Sequence, residues 1–552
     1  MMRTYKANQS QTLSSRLGSI LNKENWFFIF VFLLALILRI KDIGLFLPYF
    51  EAGDEKFLVE SSLNIIRTGD LNPHFFWYGS FPIYWISAIY YLVILILWPF
   101  SNQSSLASFI GNLNIYDYHF LFFYIGRITS VLFSLLTIYL LYAIGKNLFG
   151  KKTGKIILFL SSFNVFHAFL SQLFKVDISL SFWILATVYF ALKILESGKI
   201  INYVLGGICV GLAMSTKYNF LAFIPLAAAR VLKDKEWKSL FELKLFLAGY
   251  VAAVTFIVTC PFSILDFKDF YSQLYFQMKT LQQGPYDPMS FLTGIPYLAP
   301  LIAIGGSDPL IAFSSVFGLI IVFRKDWRSA VLVSCFPVIY FIFAFGVSKL
   351  PNPQNIFPTF PFLVIFSGFF FKQFFESNRP RYRHLAVGIF ILNIIFQILF
   401  YFIYLPPYQA WEYPYKESVK WIEKNIDKNS IVMSYYGSPG NFRYIKGSFG
   451  FAQEYMIRPK LKNYEENLVK FKPDFLILMN WGMEHQSNDD FKAYGNWVNA
   501  ILKKPFSDYC LIKGFYLPKI YRGISEKFIP VSENYGLLIF QRKEVQGCEK
   551  ES

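Results

Sequence analysis

Long apolar runs dominate the chain, and roughly 20 apolar residues suffice for a membrane-crossing helix, somewhat fewer with interfacial or snorkelling flanks. About eleven runs meet that description: Trp26 to Phe46, Tyr118 to Ile144, Lys155 to Phe174, Ile178 to Leu195, Asn202 to Thr216, Tyr218 to Leu232, Leu243 to Phe262, Ser307 to Phe323, Ser329 to Val347, Ile356 to Phe371 and Leu385 to Leu405. Two further stretches, Phe81 to Phe100 and Phe291 to Gly305, are apolar enough to span, but counting either as a full crossing inverts every later basic loop. They are expected to lie along the outer interface or to enter it part way. After Leu405 the pattern turns polar. A helix over Pro414 to Asn425 and a helical pattern over Phe491 to Leu502 alternate with strand-like runs at Ser430 to Tyr436, Asp474 to Met479 and Tyr535 to Arg542. That alternation predicts a small α/β domain.

Composition agrees with the membrane reading. Of 552 residues, 55% are hydrophobic and only 16% charged, against about a quarter charged in ordinary soluble domains. The formal charge of +17 is spread over short Lys/Arg clusters between apolar runs rather than gathered on one face, which argues against a nucleic-acid partner and for contact with anionic lipid head groups. The clusters set orientation. Placing the N-terminus inside brings Arg3 to Lys23, Lys146 to Lys152, Lys233 to Lys238, Arg324 to Arg328 and Arg379 to Arg383 to the cytoplasmic face. The first run starts too late and runs too long for a cleaved signal and reads as a retained anchor.

The expected fold is therefore a polytopic α-helical protein of the cell membrane. Residues 1–25 form a cytoplasmic tail, 26–405 a membrane domain whose first outer loop is 47–80, and 406–552 an extracytoplasmic α/β domain. Cys209, Cys260 and Cys335 fall inside apolar runs, where they act as small hydrophobes; Cys510 and Cys548 are free to pair outside. No Walker-type loop, dinucleotide fingerprint, HExxH or paired CxxC occurs.

Candidate chemistry gathers at the outer ends of the runs. Asp54 and Glu55, in "YFEAGDEKF", follow the first span, where partial desolvation raises a carboxylate's pKa and suits it to take a proton. A solvated loop face is the plain alternative. Asp177 lies between two apolar runs, a costly place for an acid, although capping of the following helix also accounts for it. Lys217 and Lys349 sit on the outer side against the positive-inside trend, either snorkelling or offering a point charge to a phosphate. Arg127, inside an apolar run, requires a phosphate or an acid as partner. Gly206, Gly207 and Gly211 have the spacing of close helix packing.

The order "GDE", "FPIYW", "RITSVLFSLLTIYLLYAIGKNLFGKKTG", "SQLFKVD", "GLAMSTKYNFLAFIP", "CPFSILDFKDFYSQLYFQMKTLQQGPY" and "SKLPNPQNIFPTFPFLVIFSG" resembles the GT-C membrane glycosyltransferases, in particular the protein O-mannosyltransferase and aminoarabinose-transferase group, from Trp26 to Phe371. The resemblance implies about 11–13 transmembrane helices, a polyprenyl-phosphate-linked sugar as donor, and transfer of a hexose or pentose to a protein, lipid or polysaccharide acceptor on the outer face. It makes Asp54 the catalytic base with Glu55 beside it, Asp177 the second acid, and Lys217 and Lys349 the cations near the lipid phosphate. It puts His74 at the polar end of the first loop, and Gln354 and Asn355, after Pro353, where many relatives carry Arg-Tyr or Tyr. A lipid phosphate is already a good leaving group, so no cofactor is obligatory, while relatives differ over a divalent cation. Two rival classes remain at this stage: a lipid-linked sugar flippase, which would show inverted repeats, and a noncatalytic scaffold presenting the tail.

Overall fold

A computed structural model describes residues 23–45, 47, 54–113, 117–283, 308–347, 353–426, 430, 432–434, 472, 474–480, 509–516 and 536–542. The expected elements at Phe291 to Gly305 and Phe491 to Leu502, and the expected phosphate contact at Lys349, lie outside the described residues.

The apolar runs fold as helices. They are α1 (Lys23–Ile40), α2 (Glu55–Thr68), α3 (Phe81–Leu97), α4 (Leu106–Asn112), α5 (Asp117–Phe149), α6 (Lys151–Phe163), α7 (Val165–Ser171), α8 (Val176–Ser197), α9 (Ile200–Lys217), α10 (Ile224–Asp234), α11 (Leu243–Thr259), α12 (Phe267–Gln283), α13 (Pro309–Lys325), α14 (Trp327–Val347), α15 (Phe360–Phe375) and α16 (Pro380–Asn425). Among the described residues, six helices are long and apolar enough to cross a membrane, seven if α6 and α7, bent by 59° at Asn164, count as one. The chain is a multi-pass membrane protein. The expected span over Tyr218 to Leu232 is shorter than supposed: Tyr218 adopts a left-handed conformation after α9, and only the 11 residues of α10 form α-helix.

The most buried of the spanning helices takes the centre. α15, "FPFLVIFSGFFF", is hydrophobic all round and has 83% of its spanning window buried, whereas the window of α16 is only 17% buried and faces outward. Small residues let the neighbours close in. A Cβ added at Gly318 would lie 2.0 Å from Phe366 O, and Ser314 and Ser367 hydroxyls meet at 2.7 Å, so α13 packs backbone to backbone against α15. On α9, a Cβ at Gly207 or Gly211 would come within 2.6 Å of the Ala248 or Ala252 carbonyl of α11. The glycine spacing is thus a packing device.

A second, smaller core holds the segment between α1 and α5. Leu58, Val59, Leu63, Ile83, Ile86, Tyr90, Phe109, Phe122 and Phe123 bury one another, together with Phe174 and Val176 from the start of α8. Helix α3 is of spanning length, and the middle of α3 and helix α4 both pack on the start of α5. Tyr90 Oη donates to Phe122 O (2.6 Å), and the Phe109 ring packs on Tyr118.

α16 runs unbroken from the bundle into the polar tail, merging the run ending at Leu405 with the helix read at Pro414 to Asn425. Beyond it stand β1 (Val432–Ser434), β2 (Phe475–Asn480), β3 (Tyr509–Tyr516) and β4 (Gly536–Arg542). Their order is β1-β2-β4-β3, with β1 parallel to β2 and the other pairs antiparallel. Strand β3 was not read from the sequence, because Lys513 and Gly514 interrupt its apolar pattern. Cys510 is disulfide-bonded, while Cys209, Cys260 and Cys335 are free.

Candidate active site

Four chain segments that are distant in sequence converge at one end of the bundle: the start of α2, the loop before α3, the start of α8 and the end of α9. Asp54 immediately precedes α2. Its Oδ2 accepts from Tyr78 Oη at 2.6 Å and from Lys175 Nζ at 3.3 Å. Asp177 stands in the first turn of α8, nearly fully buried, and its Oδ1 accepts from Lys217 Nζ at 2.6 Å. Lys217, the last residue of α9, also donates to Asn355 Oδ1 at 3.2 Å, and its ammonium sits 5.7 Å from the centre of the Tyr78 ring. The site thus holds two carboxylates, two ammonium groups, a phenol and an amide. Its formal charges cancel.

Asp177 does not cap α8. Lys175 occupies the cap position, and the Asp177 carboxylate is turned to Lys217 instead. An acid with 2% side-chain exposure needs such a partner. The opposite end of the bundle is basic: Lys152 pairs with Glu376 at 2.9 Å and Lys325 donates to Gln373. Asp54 and its partners therefore lie at the end away from the Lys/Arg clusters.

The pKa of Asp54 departs from expectation. Burial alone pushes it up, but Lys175, the Tyr78 hydroxyl and Lys217 outweigh burial and hold it below the usual carboxylate value. Asp54 is accordingly ionised throughout the neutral range. Burial, with Asp54 and Asp177 close by, pushes the Tyr78 phenol well above its ordinary value, so it remains a proton donor.

Glu55 and Arg127 are reassigned. Both are fully buried, and the guanidinium grips the carboxylate by two parallel bonds, Nε to Oε1 at 2.9 Å and Nη2 to Oε2 at 2.8 Å. Nη1 donates to the carbonyls of Ile43 and Leu45, at 2.8 and 2.7 Å. Phe174 N–H donates to Glu55 Oε1. Every nitrogen of Arg127 is committed, so it offers nothing to a phosphate, and Glu55 serves to fasten α2, α5 and the start of α8 around Asp54. The physical reason is depth: two charges without water hold each other in bidentate geometry.

His74 does not join the site. It is exposed at a positive φ of 49°, and Nε2 meets Asp70 Oδ2 at 3.0 Å. With Asp266 and Asp269 it forms the one group among the described residues whose ligand atoms all lie within 4.8 Å, a cation-sized arrangement that includes neither Asp54 nor Asp177. Gln354 and Asn355 lie in a short helical turn, and of the two Asn355 reaches Lys217. Tyr340 Oη donates to Asn355 O at 2.7 Å and steadies that turn. Lys175 and Tyr78 were missed by sequence reading. Lys175 carried a signal, standing two residues before Asp177, while Tyr78 was one aromatic among several in "FFWYGS".

Residues 123–264 match the family model described as dolichyl-phosphate-mannose-protein mannosyltransferase. No curated protein sequence matches the chain. Among solved structures, ArnT from Cupriavidus metallidurans in the apo state is similar with a TM-score of 0.55 at 13% identity, over 95% of this chain and 98% of that one. The archaeal oligosaccharyltransferase AglB from Archaeoglobus fulgidus, in complex with an inhibitory peptide and a dolichol-phosphate, gives 0.53 at 11% identity over 94% and 88%. At such identities a likeness speaks for architecture, and that architecture, with the helical core and the small C-terminal sheet, is the GT-C fold.

Proposed function

We propose that the protein is a membrane glycosyltransferase that moves a sugar from a polyprenyl-phosphate donor to an acceptor hydroxyl on the extracytoplasmic face, with inversion at the anomeric carbon. The observation that carries this reading is the pairing of Asp54 with Lys175 and of Asp177 with Lys217 at the end of the bundle remote from the basic loops. The family-model match and the two fold relatives, one of them in complex with a dolichol-phosphate, point the same way.

In the reaction, the acceptor oxygen forms a bond to the anomeric carbon as the bond from that carbon to the phosphate oxygen breaks. Asp54 takes the acceptor proton, and the electron pair leaves with the polyprenyl phosphate. In this reading Lys217 and Lys175 offset the charge that grows on the departing phosphate. Asp177 holds Lys217 at the end of α9. A carboxylate with a depressed pKa is a modest base, which suits a displacement with a good leaving group, where the acceptor proton becomes acidic only as the new bond forms. The two ammonium groups supply the charge for which other transferases use a divalent cation, so the reaction is proposed to need no metal.

The test is direct. Purified protein in liposomes is given radiolabelled mannosyl and aminoarabinosyl polyprenyl phosphates with native membranes as the acceptor source, and release of polyprenyl phosphate is followed with and without EDTA. Consumption of one donor, unchanged within about twofold by the chelator, is the expected result. Movement of intact donor across the bilayer without cleavage would instead identify a flippase.

A further inference from the structure

We propose that Tyr78 is a positioning residue for catalysis, binding the two acid–base pairs into one unit by fixing the Asp54 carboxylate with its hydroxyl and flanking Lys217 with its ring. The inference rests on the reading of Asp54 as the base. Its observation is a closed circuit. Tyr78 Oη donates to Asp54, Asp54 accepts from Lys175, Lys175 is two residues from Asp177, Asp177 accepts from Lys217, and Lys217 returns to the face of Tyr78.

The backbone around Tyr78 is placed accordingly. Gly79 N–H donates to Thr216 O at 3.1 Å, and Tyr218 Oη donates to Tyr78 O at 2.8 Å, so the peptide unit that follows Tyr78 is tied through both its polar groups to the turn that carries Lys217. Only glycine permits this approach, since a Cβ at Gly79 would lie 2.0 Å from Ser215 O. On the other side the ring packs against Phe75, with centroids 6.0 Å apart. Tyr78, 8% exposed, thus has little freedom to aim its hydroxyl elsewhere. A side chain held in this way keeps its hydroxyl on Asp54 Oδ2 and leaves the other carboxylate oxygen for the acceptor.

A role confined to packing would be indifferent to the hydroxyl; a positioning role would not. The charged groups facing Asp54 are Lys175 from the start of α8 and Lys217 from the end of α9, and those facing Tyr78 are Asp54 and Asp177. Removing the hydroxyl takes away one group that favours the ionised carboxylate. The acid limb of the pH–rate profile then moves to higher pH.

The experiment compares Tyr78→Phe, Tyr78 replaced by 3-fluorotyrosine, Tyr84→Phe and Asp54→Asn, each purified, with the polyprenyl-phosphate sugar consumed in the donor assay. Tyr78→Phe is expected to lower kcat roughly tenfold, to change KM for the donor less than about threefold because the ring stays beside Lys217, and to shift the acid limb upward. Fluorotyrosine keeps the shape, donates more strongly, and is expected to shift the limb downward, so the proposal can still be read if Tyr78→Phe fails to fold. Tyr84→Phe removes a hydroxyl that donates to Leu71 O at 2.9 Å and should leave the limb in place. An acid limb unmoved by both Tyr78 replacements, with Asp54→Asn inactive, overturns the Tyr78 proposal alone; an active Asp54→Asn overturns the base assignment and the proposal with it.

Discussion

Asp54→Asn is expected to cut sugar transfer by roughly 10²- to 10⁴-fold, the range for loss of a general base, while leaving the protein folded and its affinity for the lipid donor close to that of the parent. Asparagine has nearly the size of aspartate, and its side-chain oxygen still accepts from Tyr78 and Lys175 at the distances that hold Asp54. What it loses is the ability to take a proton. The measurement is kcat and KM for the consumed donor, with thermal unfolding in detergent as the control. A drop in kcat with little change in KM marks an interaction used in the transition state, whereas transfer at the parental rate would return Asp54 to an ordinary loop carboxylate. The pH dependence carries a sign. Because Lys175, Tyr78 and Lys217 hold the Asp54 pKa below the usual value in spite of burial, activity assigned to ionised Asp54 persists through neutral pH and is lost only as pH falls through that lowered value.

Arg127→Met is expected to act on stability instead, by about 3–5 kcal/mol, as for other buried pairs that lose one partner. The substitution strands Glu55 as an uncompensated charge with no solvent exposure and leaves the Ile43 and Leu45 carbonyls without their donor. The readout is the thermal midpoint and the folded yield in detergent. Replacing both partners, Glu55→Leu with Arg127→Met, should recover part of the loss because no buried charge remains. Recovery will be incomplete, since the Phe174 amide that donates to Glu55 also loses its acceptor. A stable Arg127→Met protein with weakened donor binding would restore the phosphate role that sequence alone suggested.

These two predictions separate residues that are adjacent in the chain. Asp54 and Glu55 look equivalent in "GDE", yet one is 27% exposed beside a lysine and a tyrosine, and the other is sealed against an arginine 72 positions away. One step of helix decides between them: successive residues at the start of α2 point about 100° apart, so one meets the site and the next meets the core.

The character of the protein as a bundle of apolar helices was legible in its hydropathy, because a bilayer demands long uncharged runs whatever their neighbours. Asp177 and Lys217 were legible for a related reason. Charges at the ends of such runs are expensive and stand out. The Lys/Arg clusters between the runs were legible in the same way. Tertiary structure alone decided which charges meet. It joined Asp177 to Lys217 across 40 positions and brought Lys175 and Tyr78 to Asp54 across 121 and 24. It also set His74 outside the site and closed α5 on Glu55. Hydropathy reports the solvent each residue requires, but the partner of a buried charge depends on distances between helices, and those are set by side-chain volumes and glycine contacts that appear only once the bundle is packed.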